Sequence, residues 1–325
     1  IKYFFIWGVT LLLMIFTLNL AVDPYNKYGI NLFNIEYKLT RDDRGFKIGQ
    51  ISNIEKIDNL IIGSSRSQTL DPQLLSDFLG GVSYNFGVGG GKIEDALGLL
   101  YYLEKEKKLP KNILLAVDFS GFNSNNKMHT DFLNSKELNF LKNQTYQFEI
   151  GHFLSIDTTR SSFKTFKLHL KQQKPEVFFN AVGLIVGSEK NTNHLEIKKL
   201  SEDYFEIAYS NGQFNIDTLR LNYFKQFVQR CKEYNIKLKV MMTPVFSHQL
   251  SLLRSHQNLE ESYFQLLDIL SSVYPLYNFM QDNEYTHNID FFMDSIHYKR
   301  SLGDRILSSI YQKESDDILF DYHDK

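Results

Sequence analysis

Cysteine is nearly absent: Cys231 is the one example in 325 residues. No internal disulfide can form, and a thiolate metal cluster is excluded. Strong net charge is missing too. Lys and Arg number 36 against 38 Asp and Glu, a formal balance of −2 at pH 7, so the chain carries no global basic footprint for nucleic acid. His, Asp and Glu never recur at zinc or calcium spacing. The run Gly87-Val88-Gly89-Gly90-Gly91 lacks the lysine of a phosphate loop, and its spacing does not fit the dinucleotide fingerprint. Nothing here calls for a cofactor or a metal.

Charge is also missing from one long stretch. Tyr3–Val22 holds no charged residue, and at 1.5 Å per residue it spans about 30 Å, the thickness of a bilayer core. A cleavage site at Asn19-Leu20-Ala21 would put Asn where a small residue belongs. A buried core helix of this length would normally show a polar face. Residues 1–22 therefore read as an uncleaved transmembrane signal anchor, with residues 3–22 in contact with lipid. Lys2 and the short flank before the apolar run place the N-terminus in the cytoplasm and the rest outside. The expected location is the cell (inner) membrane, single-pass, with the large domain on the periplasmic or extracellular side.

Residues 23–57 read as a membrane-proximal segment, opened by the helix-breaking Asp23-Pro24-Tyr25-Asn26. Residues 58–325 then alternate strand and helix. Apolar runs at Asn59–Gly63 and Asn112–Val117, with the segments Val82–Phe86, Ile236–Met242 and Leu276–Met280, predict five strands. Between them, Asp71-Pro72 caps a helix over Gln73–Leu79. Helical spacing recurs from Ile93 to Leu103, over Leu219–Tyr234 and over Tyr263–Leu270. Ser301 is the expected cap of a last helix carrying Leu302, Ile306 and Ile310. Strands apolar on both faces, alternating with helices, predict an α/β fold with a parallel sheet covered on both sides. Residues 123–215 break this rhythm and read as a largely helical insertion. Within it, Lys164, Lys167, Lys171 and Lys174 read as a solvated helix face. Glu314–Asp324 reads as a soluble acidic tail.

Two short motifs carry chemistry. Leu60-Ile61-Ile62-Gly63-Ser64-Ser65-Arg66-Ser67 is a buried strand that ends in a glycine turn and presents a serine. Asp294-Ser295-Ile296-His297 puts a carboxylate three residues before a histidine. A serine hydroxyl needs a base to take its proton, and the base needs a group to hold its tautomer. Ser65, His297 and Asp294 supply those roles as catalytic residues. The backbone N–H groups at Ser65 and in the Gly89-Gly90 backbone, after the second strand, are candidate oxyanion donors. Alone, a Gly-Ser-Ser turn is common and Asp-x-x-His is usually a surface pair; order and distance make the case.

These blocks resemble those of the SGNH (GDSL-type) hydrolase-fold family. Gly63-Ser64-Ser65 matches its Gly-Asp-Ser block, with Ser64 in place of Asp. Asn85-Phe86-Gly87-Val88-Gly89-Gly90 matches its second block and puts Gly90 at the oxyanion position. Asp294 and His297 match its last. The third block, Gly-x-Asn-Asp, is not present as such. After the third strand the chain reads Asp118-Phe119-Ser120-Gly121-Phe122-Asn123, so Asn123 or Ser120 stands where the second oxyanion donor would be. The resemblance covers roughly residues 58–120 and 219–312, and implies a flavodoxin-like three-layer α/β/α sheet.

The anchor, Asp-Pro-Tyr after it, and Gly-Ser-Ser-Arg are similar to membrane-anchored envelope proteins of that family. Those act beside membrane-bound O-acyltransferases in polysaccharide O-acetylation and teichoic-acid D-alanylation. The resemblance implies an acyltransferase or esterase working through an acyl-serine. Its partners would be a membrane-bound O-acyltransferase and an envelope polysaccharide or teichoic-acid-like acceptor. Two readings from other classes stand beside it. One is a catalytically silent structural subunit of a membrane assembly. The other is a polysaccharide-binding module that uses the aromatic residues of the 123–215 insertion.

Overall fold

The apolar runs fold as strands of one sheet because side chains on both sides of each strand find cover. The computed structural model describes residues 2–25, 30, 32–35, 38, 43–141, 150–209, 212–312 and 320–323. Helix α1 spans Lys2–Val22 and α2 spans Asp43–Asn53. Strand β1, Asn59–Gly63, runs through a single 3-10 turn at Ser65–Thr69 into α3, Pro72–Leu79. Strand β2 is Ser83–Gly87, α4 is Ile93–Lys105 and β3 is Asn112–Val117. Helices α5, Ile156–Leu170, and α6, His194–Tyr209, follow. The chain continues through α7 (Thr218–Glu233), β4 (Lys237–Met242), α8 (Gln257–Val273), β5 (Leu276–Asn278), α9 (Arg300–Tyr311) and β6 (Asp321–His323).

The described chain groups into two compact units. Ile1–Glu55, Leu141–Ala181 and Ile185–Ser188 form the first; Lys56–Phe140, Val182–Leu184 and Glu189–Lys325 form the second.

The second unit holds the sheet, in the order β2-β1-β3-β4-β5-β6. The first five strands are parallel and β6 runs antiparallel to β5. The chain winds outward both ways from β1 and β3, so a crevice opens at their carboxyl ends. Ile61, Leu114 and Met241 point to one face, where they pack in a buried cluster with Leu75 of α3 and Leu302 and Ile306 of α9. Their strand neighbours Leu60, Ile62, Ile113, Leu115 and Val240 point to the other face and are equally buried. Gly63 closes β1 because nothing larger fits: a Cβ there would lie 2.8 Å from the Ala116 carbonyl oxygen.

Several elements differ from the sequence expectation. The last helix begins at Arg300, and Lys299, not Ser301, is its N-cap, with no side-chain cap bond. Ser301 sits inside the first turn. Strand β5 stops at Asn278, whose side chain takes the Met280 N–H and turns the chain away from the ladder. Residues 314–319 and 324 of the acidic tail lie outside the described residues. Its Asp321–His323 part is the edge strand β6, placed by Tyr322 opposite Tyr277, with ring centroids 4.9 Å apart.

The first unit contains α1, α2, α5 and a two-residue-per-strand hairpin, Phe178–Phe179 with Ile185–Val186. Helix α1 is long and apolar enough to cross a membrane. From Tyr3 to Met14 its large apolar side chains stand 51–78% exposed, while Asn19, Ala21 and Val22 are buried.

Helix α2 carries an unusual cation. Lys47 is fully buried, with Nζ 4.1 Å from the centroid of the Phe179 ring. Burial pushes its pKa down to about 7, against the pull of Asp43. The folded state therefore binds fewer protons than the unfolded chain between about 7 and 10.5. Stability rises with pH across that window, and the penalty is complete below it. Lys47→Met should accordingly raise the melting temperature at pH 7 and below by a few degrees. The gain should fade in melts recorded toward pH 10.

Candidate active site

The turn after β1 is built to project one hydroxyl. Ser64 is extended and buried, and its Oγ accepts the Arg66 N–H at 3.2 Å. Ser67 Oγ donates to the Ser64 carbonyl at 2.8 Å. Asn85, buried in β2, donates from Nδ2 to the carbonyls of Ser67 and Leu70 at 2.7 and 2.8 Å. With its neighbours so engaged, Ser65 is left half-buried, its side chain facing a cavity of about 530 Å³.

Ser65 Oγ lies 2.8 Å from His297 Nε2. His297 Nδ1 lies 2.8 Å from Asp294 Oδ2. The other Asp294 oxygen accepts the N–H groups of Ile296 and His297 at 2.9 and 2.8 Å. A tight hairpin produces this geometry: the Met293 N–H donates to the His297 carbonyl, and Phe292 bridges Tyr298. Phe292 and Tyr298 are both fully buried. Burial works against the Asp294 charge, but the His297 hydrogen bond, the His297 charge and the two N–H donors outweigh it. Its pKa falls below the ordinary value. An ionised Asp294 accepts a hydrogen bond from His297 Nδ1–H, which leaves Nε2 free to accept one from the Ser65 hydroxyl.

Gly90 lines the same cavity. Its φ of +59° favours glycine, and a Cβ there would meet His129 Cδ2 at 3.0 Å. Among the described residues, neither the Ser65 N–H nor the Gly90 N–H has a hydrogen-bond partner. Two unengaged donors beside one hydroxyl can receive a developing oxyanion.

Asn123 is a correction to the sequence expectation. It is fully buried and lies outside the cavity lining. Its amide donates to the carbonyls of Ala208 and Gln213 at 3.2 and 3.3 Å, so no N–H remains for a substrate. Ser120 does line the cavity, with its Oγ 2.9 Å from the Tyr204 hydroxyl.

A buried polar network that the motifs did not announce lies behind Ser65. Arg66 donates to Thr243 Oγ1 at 3.2 Å and to the Tyr204 hydroxyl at 3.0 Å, and lies 3.6 Å from Asp118 Oδ1. Thr243 in turn donates to Asp118 at 2.5 Å. Asp118 directly follows β3 and Thr243 directly follows β4. Polar residues at the carboxyl ends of strands were the available signal. Burial disfavours the Arg66 charge, and Asp118 with the tyrosines more than restores it, raising its pKa above the usual value. The network locks the residue next to the hydroxyl.

A second cavity, of about 830 Å³, belongs to the first unit and is lined by Tyr25, Arg160, Lys164 and Lys174, with Asp157 and Glu176 among its carboxylates. Among the described residues its lining holds no histidine.

No family model matches the chain. No curated protein matches its sequence. Among solved structures, the chain is similar to a protein of Bacteroides fragilis provisionally assigned as an acylhydrolase. The two share 12% identity over 81% of this chain and 91% of that one, with a TM-score of 0.38. A likeness of that size speaks to neither site nor reaction.

Proposed function

We propose that this chain is a serine acyl-transfer enzyme, an esterase or acyltransferase, of the SGNH hydrolase type. The observation that carries it is the unbroken line Ser65–His297–Asp294, with 2.8 Å at each link, opening on a cavity. In the reaction, Ser65 Oγ attacks an acyl carbonyl while His297 Nε2 takes its proton. The N–H groups of Ser65 and Gly90 receive the negative oxygen. His297 then gives the proton to the leaving alcohol, and an acyl-Ser65 ester remains. Water or a sugar hydroxyl, deprotonated by the same imidazole, resolves that ester. Asp294 holds the tautomer and balances the imidazolium charge.

The envelope setting belongs to the same proposal. Helix α1 anchors the chain in the cell membrane with the catalytic unit on the periplasmic or extracellular side. The acceptor is an acylated polysaccharide or teichoic-acid-like polymer, and a membrane-bound O-acyltransferase supplies the acyl group. The length and apolar surface of α1 support the anchoring.

A fluorophosphonate probe tests the chemistry directly, because it reacts with an activated serine and needs no knowledge of the acyl group. The full chain should be labelled on Ser65, and Ser65→Ala should abolish the label. An unlabelled wild type, even with its membrane fraction present, sinks the proposal in favour of a silent structural subunit.

A further inference from the structure

Helix α5 presents a face that the proposed chemistry does not use. Its inner side is made of Thr158, Ser162 and Thr165, at most 1% exposed. Its outer side carries Ile156, Phe163 and Leu170, at 71, 62 and 68% exposure. Seven residues make nearly two full turns, so these three form one stripe. Arg160, Lys164 and Lys167, with Lys171 just past the helix, run beside it and are all exposed. Among the described residues none of these four cations makes an ion pair. An apolar stripe flanked by unpaired lysines suits neither a solvated face nor a core.

The junction with α1 says what covers it. The Phe153 ring packs on Phe16 at 5.3 Å between centroids. Asn19 Nδ2 donates to the Phe153 carbonyl at 2.7 Å and to Thr159 Oγ1 at 2.9 Å. Tyr25 and Ser161 share a 2.6 Å hydrogen bond. If Tyr3–Val22 fills the hydrocarbon core, its boundary falls near Val22, and Phe16 lies about 9 Å inside it. Phe153 and the start of α5 are therefore held at the depth where amphipathic helices rest in a bilayer, about 5–10 Å below the headgroups. The cavity lined by Tyr25, Asp157, Arg160, Lys164, Lys174 and Glu176 adjoins the basic flank of the stripe.

We propose that α5 is an interfacial helix. Its Ile156–Phe163–Leu170 stripe lies in the bilayer surface that α1 enters, and Arg160, Lys164, Lys167 and Lys171 bind anionic lipid headgroups. The inference rests on the anchoring reading of α1. The occupant is lipid because charge complementarity and continuity with an apolar helix both point there.

The full chain is reconstituted into phosphatidylcholine vesicles with and without phosphatidylglycerol. Phe163→Cys, Leu170→Cys and, as a control on the exposed side of α7, Lys225→Cys are labelled with a polarity-sensitive dye. Cys231 is buried with its thiol pushed up to about 12, so it stays unlabelled in the folded chain. Labels at 163 and 170 should shift to the blue and be quenched by lipid-borne nitroxide, and the label at 225 should not. Phosphatidylglycerol should deepen the quenching. Lys164→Gln, Lys167→Gln and Lys171→Gln together should remove that dependence while the chain still floats with the vesicles. Water-like labels on a chain that floats overturn the proposal and spare the anchor. Quenching that ignores phosphatidylglycerol overturns its headgroup half. Quenching that needs a second membrane protein makes the face a protein-docking surface instead. Release of the whole chain by carbonate overturns anchor and inference together.

Discussion

Ser65→Ala and His297→Ala should each lower kcat/KM on a small activated acyl ester by on the order of 10³-fold or more, and the double variant should be little worse than either. Non-additivity follows from the geometry, since the hydroxyl and the imidazole at 2.8 Å act as one unit. Asp294→Asn should cost comparably. An amide nitrogen at that position donates to Nδ1, which forces the proton onto Nε2 and blocks acceptance from Ser65. The neighbouring serines make the contrast. Ser64 Oγ caps the turn and Ser67 Oγ ties back to the Ser64 carbonyl, so Ser64→Ala and Ser67→Ala should lower stability by about 1 kcal/mol each and leave most activity. Melting of the Ser65 and His297 variants should stay within a few degrees of wild type, because both side chains are only part-buried at the sheet edge. Stopped assays with p-nitrophenyl acetate measure the rates. Loss of activity in Ser64→Ala with retention in Ser65→Ala would mean that the nucleophile is the wrong serine.

The pieces of this site differ in how plainly the sequence declares them. Strands β1 and β3 are almost continuous apolar runs ended by Gly63 and Asp118, and runs of that kind can be read residue by residue; β4 carries Lys237 and Lys239 before its apolar end at Val240–Met242. Asp294 and His297 are three residues apart, so one tight turn fixes their pairing whatever surrounds them. Asn123 does not serve as a donor, and its place after β3 says nothing of the carbonyls of Ala208 and Gln213, 85 and 90 residues on, that consume its amide. Arg66 stands in the first motif, but its pairing with Tyr204 is illegible for the same reason: 138 residues separate two groups that meet at 3.0 Å. The face of α5 is periodic in sequence, but periodicity names a stripe and not the surface against it. What local pattern dictates is legible; what distant chain supplies is not.

The largest stability loss should come from Arg220, which no motif contains. Glu94 in the first turn of α4 is fully buried, and Arg220 in the first turn of α7 is 2% exposed. Arg220 Nε and Nη2 reach the two Glu94 oxygens at 3.1 Å each. Two further N–H groups take the carbonyls of Asn123 at 2.9 Å and Asn126 at 2.7 Å, and Nη1 also lies 3.4 Å from Asp217 Oδ2. The guanidinium thus ties two helices to the loop whose next residues, Lys127 to His129, line the cavity beside Ser65 and Gly90. Arg220→Met removes every one of these bonds and leaves a carboxylate in the interior without a counter-charge. Breaking one side of a buried pair costs about 3–5 kcal/mol, a large share of the total stability of a domain. Replacing both partners removes the stranded charge as well. Arg220→Met with Glu94→Met should therefore recover much of the loss, though not the two carbonyl contacts. Denaturant midpoints for the four members of the cycle give the coupling. Activity supplies the second reading. In the double variant, kcat/KM should stay below wild type at temperatures where the chain is fully folded, since the Asn123–Asn126 loop is no longer held. A single variant that loses less than about 1 kcal/mol would show that the pair is solvated and not buried. A double variant with full activity would detach the loop from the site.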